Sequence, residues 1–110
     1  MSERVRQVIV ATLEHTGGSR ASVASLLGLH PRTLQRRLAA EGTVFEDIRD
    51  EVRKSAALHL LRDTEVSFSQ MAYLLGLSSP SAFTRSCRRW FGETPSRTRG
   101  AVQHFAGNVG

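Results

Sequence analysis

The sequence predicts an all-α fold of seven helices, arranged in two similar halves that one long helix joins. Apolar residues recur three and four positions apart through most of the chain, which is the spacing of one helix face. Glycine follows most of these segments, and Ser or Thr precedes several of them, as expected at helix ends. The segment at about 19–41 also has a partial copy at about 67–91. The 110 residues suffice for one domain, or for two very small ones.

The first half is predicted to contain three helices, which glycine separates. Gly17 follows the first helix and Gly28 the second, because the left-handed position after a helix favours glycine. Pro31 lies in the first turn of the third helix, where its missing N–H costs little. The helices are predicted at 3–15, 20–27 and 31–41. The side chains expected to face the core are Val5, Val8, Ile9, Thr12, Leu13, Val23, Ala24, Leu26, Leu27, Leu34 and Leu38.

The longest helix is predicted over about 44–62. Thr43 and Glu46 match a capping box, in which each side chain satisfies a backbone donor of the other residue. At a rise of 1.5 Å per residue, this helix would be roughly 28 Å long. Its predicted buried stripe contains Phe45, Ile48, Val52, Ala56 and Leu60, and Leu61 widens it.

The second half is predicted to contain two complete helices and a final turn. The helices are placed at 68–75 and 80–91, the turn at 95–99, and a flexible tail at 100–110. Cys87 is expected to be a small buried hydrophobe. The residues expected inside the short helix are Met71, Ala72, Leu74 and Leu75. The aromatic residues expected in the core are Phe45, Phe68, Phe83, Trp90 and Phe91.

The partial repeat predicts two helix-turn-helix motifs, at about 19–41 and about 67–91. Each copy has a small residue for the helix crossing, a glycine in the turn four residues later, and an apolar residue six residues beyond that. These residues are Ala24, Gly28 and Leu34 in the first copy, and Ala72, Gly76 and Ala82 in the second. Both copies continue into a helix with arginine, and Arg37 aligns with Arg85. Two such motifs in register are much more specific than one.

The charge distribution indicates a polyanionic partner. The formal net charge is +5, and 14 of the 15 basic residues are arginine. Six of these arginines lie in 31–41 and 80–91, whereas six of the ten acidic residues lie in 44–65. Arginine suits phosphate groups and guanine edges. No apolar run approaches the roughly 18 residues that cross a membrane, and a single cysteine fits a reducing cytoplasm.

Over about residues 3–99, the sequence resembles the AraC/XylS family of bacterial transcription regulators. The similar features include LGLHPRTLQRRLAAEGTVF, the EVR segment of the long helix, and PSAFTRSCRRWFGETPSRTR at the end. The segment HPRTLQRRLAAEGT is similar to sequences of the family branch that has a large N-terminal sensor domain of the arabinose-binding type. Three residues depart from the family pattern: Leu77 and Cys87 stand where Phe is usual, and Thr98 where Tyr is common. The departures concern packing.

In such motifs, the N-terminal part of the second helix faces the base edges of double-stranded DNA. Arg32, Gln35 and Arg36 share one helix face, opposite Leu34 and Leu38, and the resemblance implies base reading at these positions. The corresponding face of the second motif has fewer long donors, so that half-site should be read more loosely. Its predicted base-reading residues are Ser81, Thr84 and Arg85.

Phosphate contacts are expected beside these faces, and also at the first turns of the short helices, whose N–H groups suit an anion. The predicted phosphate-binding residues are Ser22, His30, Thr33, Arg37, Ser79, Arg88 and Arg89. The long helix would space the two reading helices so that they enter successive major grooves, about 34 Å apart. Affinity should then fall steeply with salt.

The resemblance implies transcription regulation in the cytoplasm, at the nucleoid, often as an activator that touches RNA polymerase. The isolated domain is expected to be a monomer, and a longer form would dimerise through an N-terminal domain that this sequence lacks. No metal, cofactor or enzymatic site is predicted, because the four histidines are scattered and no nucleophile elbow, phosphate loop or carboxylate pair occurs. A non-specific nucleic-acid binder and a helical protein-interaction module remain as alternatives.

Overall fold

The computed structural model describes residues 1–107, with side chains described up to residue 103. The helices are α1 (Ser2–Thr16), α2 (Arg20–Leu26), α3 (Pro31–Ala40), α4 (Phe45–Asp63), α5 (Phe68–Leu74), α6 (Pro80–Phe91) and α7 (Pro95–Gly107). The described part of the chain contains no strand, which confirms the predicted all-α class. Within it, none of the helices combines the length and the apolar character that crossing a bilayer requires.

The chain divides into two compact units, which we call unit 1 (Met1–Arg53) and unit 2 (Lys54–Gly110). Helix α4 contributes its first part to unit 1 and its second part to unit 2. The buried apolar residues of unit 1 are Val5, Ile9, Leu13, Val23, Ala24, Leu34, Leu38, Phe45, Ile48 and Val52. Those of unit 2 are Ala57, Leu61, Met71, Ala72, Leu75, Phe83 and Cys87.

Serine side chains cap the N-termini of three helices, α2, α5 and α6, as the sequence indicates. Ser19 accepts a hydrogen bond from the backbone N–H of Ser22, and Ser67 accepts one from that of Gln70, both at 3.2 Å. Ser79 does the same for Ala82 at 3.1 Å. These caps satisfy N–H groups that a helix leaves without an internal partner.

Several core predictions are wrong in detail. In α4, Ala57 and Leu61 are buried, whereas the predicted Ala56 and Leu60 are only half-buried. A single continuous stripe was expected, but the two parts of this helix contribute to different cores, and each has its own stripe. Leu26 is 64% exposed although it was predicted to face the core. The residues that are half-buried rather than buried are Val8, Thr12, Leu27, Leu74, Phe68, Trp90 and Phe91.

The spacing between equivalent residues of the two motifs changes along the chain. The small residues and the turn glycines are 48 positions apart, but the helices that follow begin at Pro31 and Pro80, which are 49 apart. The second turn is therefore one residue longer. The fully buried anchors are Leu34 and Leu38 in α3, and Phe83 and Cys87 in α6. Ala82 is not the counterpart of Leu34, and Arg85 aligns with Arg36 instead of Arg37.

The repeat also extends further back than the sequence indicated. Thr16 donates its hydroxyl to the carbonyl of Thr12 at 3.2 Å, and it accepts a bond from the N–H of Gly18. Thr64, 48 positions later, donates to the carbonyl of Leu60 at 2.6 Å and accepts from Val66 N–H. The end of α1 and the end of α4 are thus equivalent, and each precedes a helix-turn-helix motif.

The last helix is longer than predicted. A turn to about Arg99 and a flexible tail from 100 were expected, but α7 continues to Gly107. Arg99 and Gln103 donate hydrogen bonds to backbone carbonyls near the end of α4, and these contacts hold the helix in place. The sequence signal failed because the partners lie more than thirty residues away. Residues 108–110 of the predicted tail lie outside the described residues.

Candidate nucleic-acid interface

Helix α3 presents a polar face because its other face is fixed in the core. The imidazole of His30 caps the helix by accepting a hydrogen bond from the N–H of Arg32, 3.2 Å from Nδ1. Leu34 and Leu38 are fully buried. Residues four apart lie on the same side of a helix, so these two anchors hold the opposite side toward solvent. Arg32, Gln35 and Arg36 are all exposed there.

Five of the predicted DNA-contacting residues of this motif surround one open surface depression. The depression has a volume of about 550 Å³ and is lined by His30, Arg32, Thr33, Gln35 and Arg36. A second, smaller depression of about 330 Å³ is lined by Thr33, Arg36, Arg37 and Ala40. Arg36 donates a long hydrogen bond of 3.4 Å to the hydroxyl of Thr33. The structure therefore brings the predicted base-reading and phosphate-binding side chains of α3 together.

The arginines of this face are not neutralised by acids. Within the described residues, several acids pair instead with other arginines, for example Arg6 with Glu51, Arg20 with Glu46, Arg62 with Asp63 and Arg97 with Glu93. Glu41 follows α3, but its carboxylate accepts hydrogen bonds from the Ser2 hydroxyl at 2.8 Å and the Ser2 N–H at 3.2 Å. These bonds lower the pKa of Glu41. The positive charge of the α3 face is therefore available to an anion.

Helix α6 has the same design with shorter side chains. Phe83 and Cys87 are fully buried, and Ser81 and Arg85 are exposed. Thr84 is half-buried, and its hydroxyl donates to the carbonyl of Pro80 at 3.3 Å. Of the three residues predicted to read bases in this motif, Arg85 has the longest polar side chain, and it is exposed.

The remaining residues predicted to bind phosphate lie in varied surroundings. The hydroxyl of Ser22 bonds to that of Ser19 at 2.9 Å, and the hydroxyl of Ser79 caps α6. Arg88 is exposed, and the guanidinium carbon of Arg89 lies 5.5 Å from the centre of the Trp90 ring. In the part of the chain that the structure describes, no group of three or more His, Cys, Asp or Glu side chains is placed to hold a metal ion.

Arg99 and Gln103 have no role that the sequence predicts. Both reach the segment between α4 and the second motif. The repeat contains a sequence feature that could have indicated them. Two glycines, Gly17 and Gly18, follow α1, but Glu65 and Val66 stand at the equivalent positions 48 residues later. A helix end that lacks its glycine needs another way to satisfy its carbonyls.

The geometry of two short helices around a glycine turn agrees with the comparison to known families. Residues 23–101 match the family described as a helix-turn-helix domain. The chain belongs to this family, in its AraC-type branch. The resemblance noted in the sequence is thereby confirmed.

The proteins that are similar in sequence or in structure include transcription regulators. The chain is 46% identical over 99 residues to the HTH-type transcriptional regulator VirS of Mycobacterium tuberculosis. That match covers 90% of this chain but 29% of VirS, so the chain spans less than a third of that relative. A DNA-binding transcriptional dual regulator from Escherichia coli K-12 superposes with a TM-score of 0.84 at 28% identity, covering 94% of this chain and 92% of the other.

Two further solved structures are similar. One is a transcriptional regulator from Chromobacterium violaceum, of the AraC-type DNA-binding domain-containing proteins, with a TM-score of 0.70 and 28% identity over 92% of this chain and 94% of that one. The other is the DNA-binding domain of the global transcriptional factor AdpA in complex with a target DNA. It has a TM-score of 0.72 and 25% identity over 91% of this chain and 93% of its own.

Proposed function

We propose that this chain binds double-stranded DNA with sequence preference and thereby regulates transcription. The observation that supports this most is the α3 face, where Arg32, Gln35 and Arg36 are exposed together on a helix that Leu34 and Leu38 anchor. The family match and the similarity to the DNA-bound domain of AdpA support the same function.

Base reading is assigned to the exposed long donors of α3. A guanidinium donates two hydrogen bonds to O6 and N7 of guanine, and a glutamine amide pairs in the same way with adenine. Each such pair contributes about 1–3 kcal/mol of discrimination against the wrong base. Arg32, Gln35 and Arg36 would read the first half-site. Arg85, with Ser81 and Thr84, would read the second with less discrimination.

Phosphate binding is assigned to the residues that flank these faces. His30 accepts a hydrogen bond at Nδ1, so the neutral imidazole has its proton on Nε2, which would be the donor to a phosphate. Thr33 and Arg37 line the depression beside the reading residues. Such contacts fix orientation without selecting sequence. The other residues assigned to this role are Ser22, Ser79, Arg88 and Arg89.

Each unit contributes one reading helix, so we expect a DNA site with two blocks. In helix-turn-helix proteins that read two half-sites, the blocks lie about one helical turn, or about 34 Å, apart. The two recognition helices would then occupy successive major grooves. This arrangement is supported by the repeat, since α3 and α6 are each preceded by a capped helix and a glycine turn.

We further propose that the chain acts in the cytoplasm as an activator that touches RNA polymerase. Asp47 is exposed near the start of α4, and its carboxylate would be part of the contact surface. The substitution Asp47→Arg should lower transcription from a target promoter while DNA affinity is retained. Unchanged transcription with the variant would remove this part of the proposal.

The experiment that tests the main proposal is selection of bound duplexes from a randomised DNA pool at about 150 mM salt, a concentration at which non-specific binding is weak. Enrichment of two blocks about one helical turn apart is expected. A single enriched block would mean that α6 holds the backbone without reading bases. Retained binding without enrichment would favour a non-specific nucleic-acid binder, and no binding would favour a protein-interaction module.

A further inference from the structure

The two helices that precede the motifs end in different ways. Gly17 follows α1 with φ of 68°, and its N–H donates to the carbonyl of Leu13 at 2.9 Å. This is a left-handed glycine cap. The position equivalent to Gly17 in unit 2 is Glu65. Among the described residues, every positive φ belongs to a glycine, so the end of α4 has no cap of this kind.

Side chains from α7 satisfy the carbonyls at the end of α4 instead. Arg99 donates from Nε to Leu61 O at 3.4 Å, and from one terminal nitrogen to Leu60 O at 3.4 Å and Val66 O at 2.8 Å. Gln103 donates to the carbonyls of Leu61 at 3.1 Å and Thr64 at 3.3 Å. A cation at this position is favourable because the last carbonyls of a helix have a partial negative charge.

The same guanidinium is linked to the reading helix of unit 2. Its central carbon lies 4.9 Å from the centre of the Phe68 ring, which belongs to the first residue of α5. The Phe68 ring packs in turn against Phe83, with 6.3 Å between the ring centres. Phe83 is the fully buried anchor of α6 and lies between Ser81 and Arg85 in sequence. Arg99 therefore contacts the end of α4 and α5 directly, and α6 through one aromatic pair.

The equivalent arginine of unit 1 makes a different contact. Counting from the helix starts at Phe45 and Pro95, Arg49 is the counterpart of Arg99. Its guanidinium lies 6.0 Å from the ring of Phe45, on its own helix. Arg53, the counterpart of Gln103, donates to the carbonyl of Gly17 at 3.4 Å, but the glycine cap there forms from the backbone alone.

We propose that Arg99 is a positioning residue for base reading by α6, and that base reading by α3 does not depend on an equivalent side chain. This inference rests on the proposed DNA-binding function. It means that the arrangement of the second motif is set by α7, a helix that follows the motif in sequence and presents none of the predicted base-reading residues.

The test compares Arg99→Gln and Arg99→Lys with two control variants, Arg49→Gln and Arg97→Gln. Arg97 has a side chain that is 77% exposed and a 4.0 Å ion pair with Glu93. For each protein, affinities are measured on the selected duplex and on duplexes with single-base changes in either block. In the unaltered protein, we expect about tenfold discrimination per changed base in the block that α3 reads, as is usual for specific binders, and a smaller factor in the block that α6 reads.

In Arg99→Gln, discrimination should fall toward onefold in the block that α6 reads and should stay near tenfold in the block that α3 reads. Arg99→Lys should be intermediate, because an ammonium group retains the charge but not the planar fork that reaches three carbonyls. Both control variants should keep discrimination in both blocks. Equal discrimination by Arg99→Gln and the unaltered protein, or equal loss in both blocks, would overturn the proposal.

Amide hydrogen exchange separates this inference from the proposed function, because it requires no DNA. Exchange in α5 and α6 should be at least about tenfold faster in Arg99→Gln than in Arg97→Gln, with exchange in α2 and α3 unchanged. Unchanged exchange in α5 and α6 would overturn the positioning role even if DNA is bound. Global unfolding of both Arg99 variants would also overturn it, since Arg99 would then be required for the fold as a whole. If the unaltered protein binds DNA without base preference, the proposed function fails, and the exchange result still stands.

Discussion

At the scale of single residues, Gly18 shows how tightly the end of α1 is constrained. Its φ is +63°, a conformation that side chains with a Cβ adopt with strain. A Cβ built at this position would lie 2.9 Å from Cγ2 of Ile9, which is fully buried. Two independent reasons therefore favour glycine here. At Gly42, with φ of +79°, only the first applies, because nothing lies within 4 Å.

We expect Gly18→Ala to destabilise the protein by more than Gly42→Ala. The strain of a positive φ should cost about 1 kcal/mol in both variants, and the collision with Ile9 should add about 1–3 kcal/mol in the first only. Thermal and denaturant unfolding of the two variants would measure the difference. Equal losses of stability would show that the Ile9 side chain moves aside at no cost.

Cys87 is a second residue whose surroundings have a measurable effect. The thiol is fully buried on the inner face of α6, and burial raises its pKa from 9.0 to about 11. The neutral form is favoured in the core because the thiolate would lose its hydration. The folded state therefore binds the proton more tightly than the unfolded state does.

This shift predicts a loss of stability in alkaline solution. The contribution of Cys87 is fully present below about pH 9, the pKa of the unfolded thiol, and should be lost as pH rises toward about 11. The full loss should approach roughly 3 kcal/mol, since each unit of pKa difference is worth about 1.4 kcal/mol. Comparing the free energy of unfolding of the unaltered protein and Cys87→Ala from pH 7 to 11 tests this. Parallel curves would contradict the prediction.

At the scale of elements, the two sides of α3 differ in burial. Leu34 and Leu38 are on the buried side, and the neighbouring Arg36 and Arg37 differ by about 100° around the axis because a helix has 3.6 residues per turn. Arg36 lines both surface depressions, whereas Arg37 lines only the smaller one. The two adjacent arginines therefore have different surroundings, which is consistent with the different roles that we propose for them.

We predict that Arg36→Ala and Arg37→Ala change DNA binding in different ways. The first should cost about 1–3 kcal/mol on the preferred sequence and relax preference at particular bases. The second should weaken binding to all sequences by a similar factor, because phosphate contacts select no base. Affinities on a panel of single-base variants would distinguish the two patterns. The same pattern for both arginines would refute the division of roles.

What the sequence could predict at this scale depends on the distance of the determining contacts. The short helices were placed well because Ser19, Ser67 and Gly28 act within a few residues. The orientation of the α3 face was also predictable, since two leucines four positions apart fix it. The length of α7 was not, because its stabilising partners are on α4 and in the segment that follows it. The shift in register was missed because one extra turn residue does not alter the apolar periodicity on either side. The DNA-contacting roles of the individual side chains remain predictions.

At the scale of the whole molecule, the net charge and the two motifs are both consistent with binding to DNA. The chain has a net charge of +5, and its two units each contain one motif whose second helix bears exposed arginine. Non-specific attraction to DNA scales with the number of phosphates that are neutralised. Both motifs together contain the seven residues that we propose for phosphate binding, in addition to those that we propose for base reading.

The affinity for a specific duplex should fall by about 10³–10⁵ between 50 and 200 mM salt if 6–10 phosphates are neutralised. Arg37→Gln should reduce the slope of log affinity against log salt by about one. Titrations at four or five salt concentrations would give both slopes. A slope close to zero in the unaltered protein would show that the arginine faces do not bind the phosphate backbone.

The extra residue in the second turn has a consequence for anyone who wishes to redesign the specificity of this protein. One redesign would give α6 the base-reading residues of α3. If positions were matched by the 48-residue spacing of the turn glycines, Gln35 would correspond to Phe83, and the substitution would remove the aromatic anchor. Counting from Pro31 and Pro80 gives Ser81→Arg and Thr84→Gln instead, and both substitutions fall on the outer face. A sequence alignment that places no gap in the turn would thus turn a change of operator preference into a folding defect.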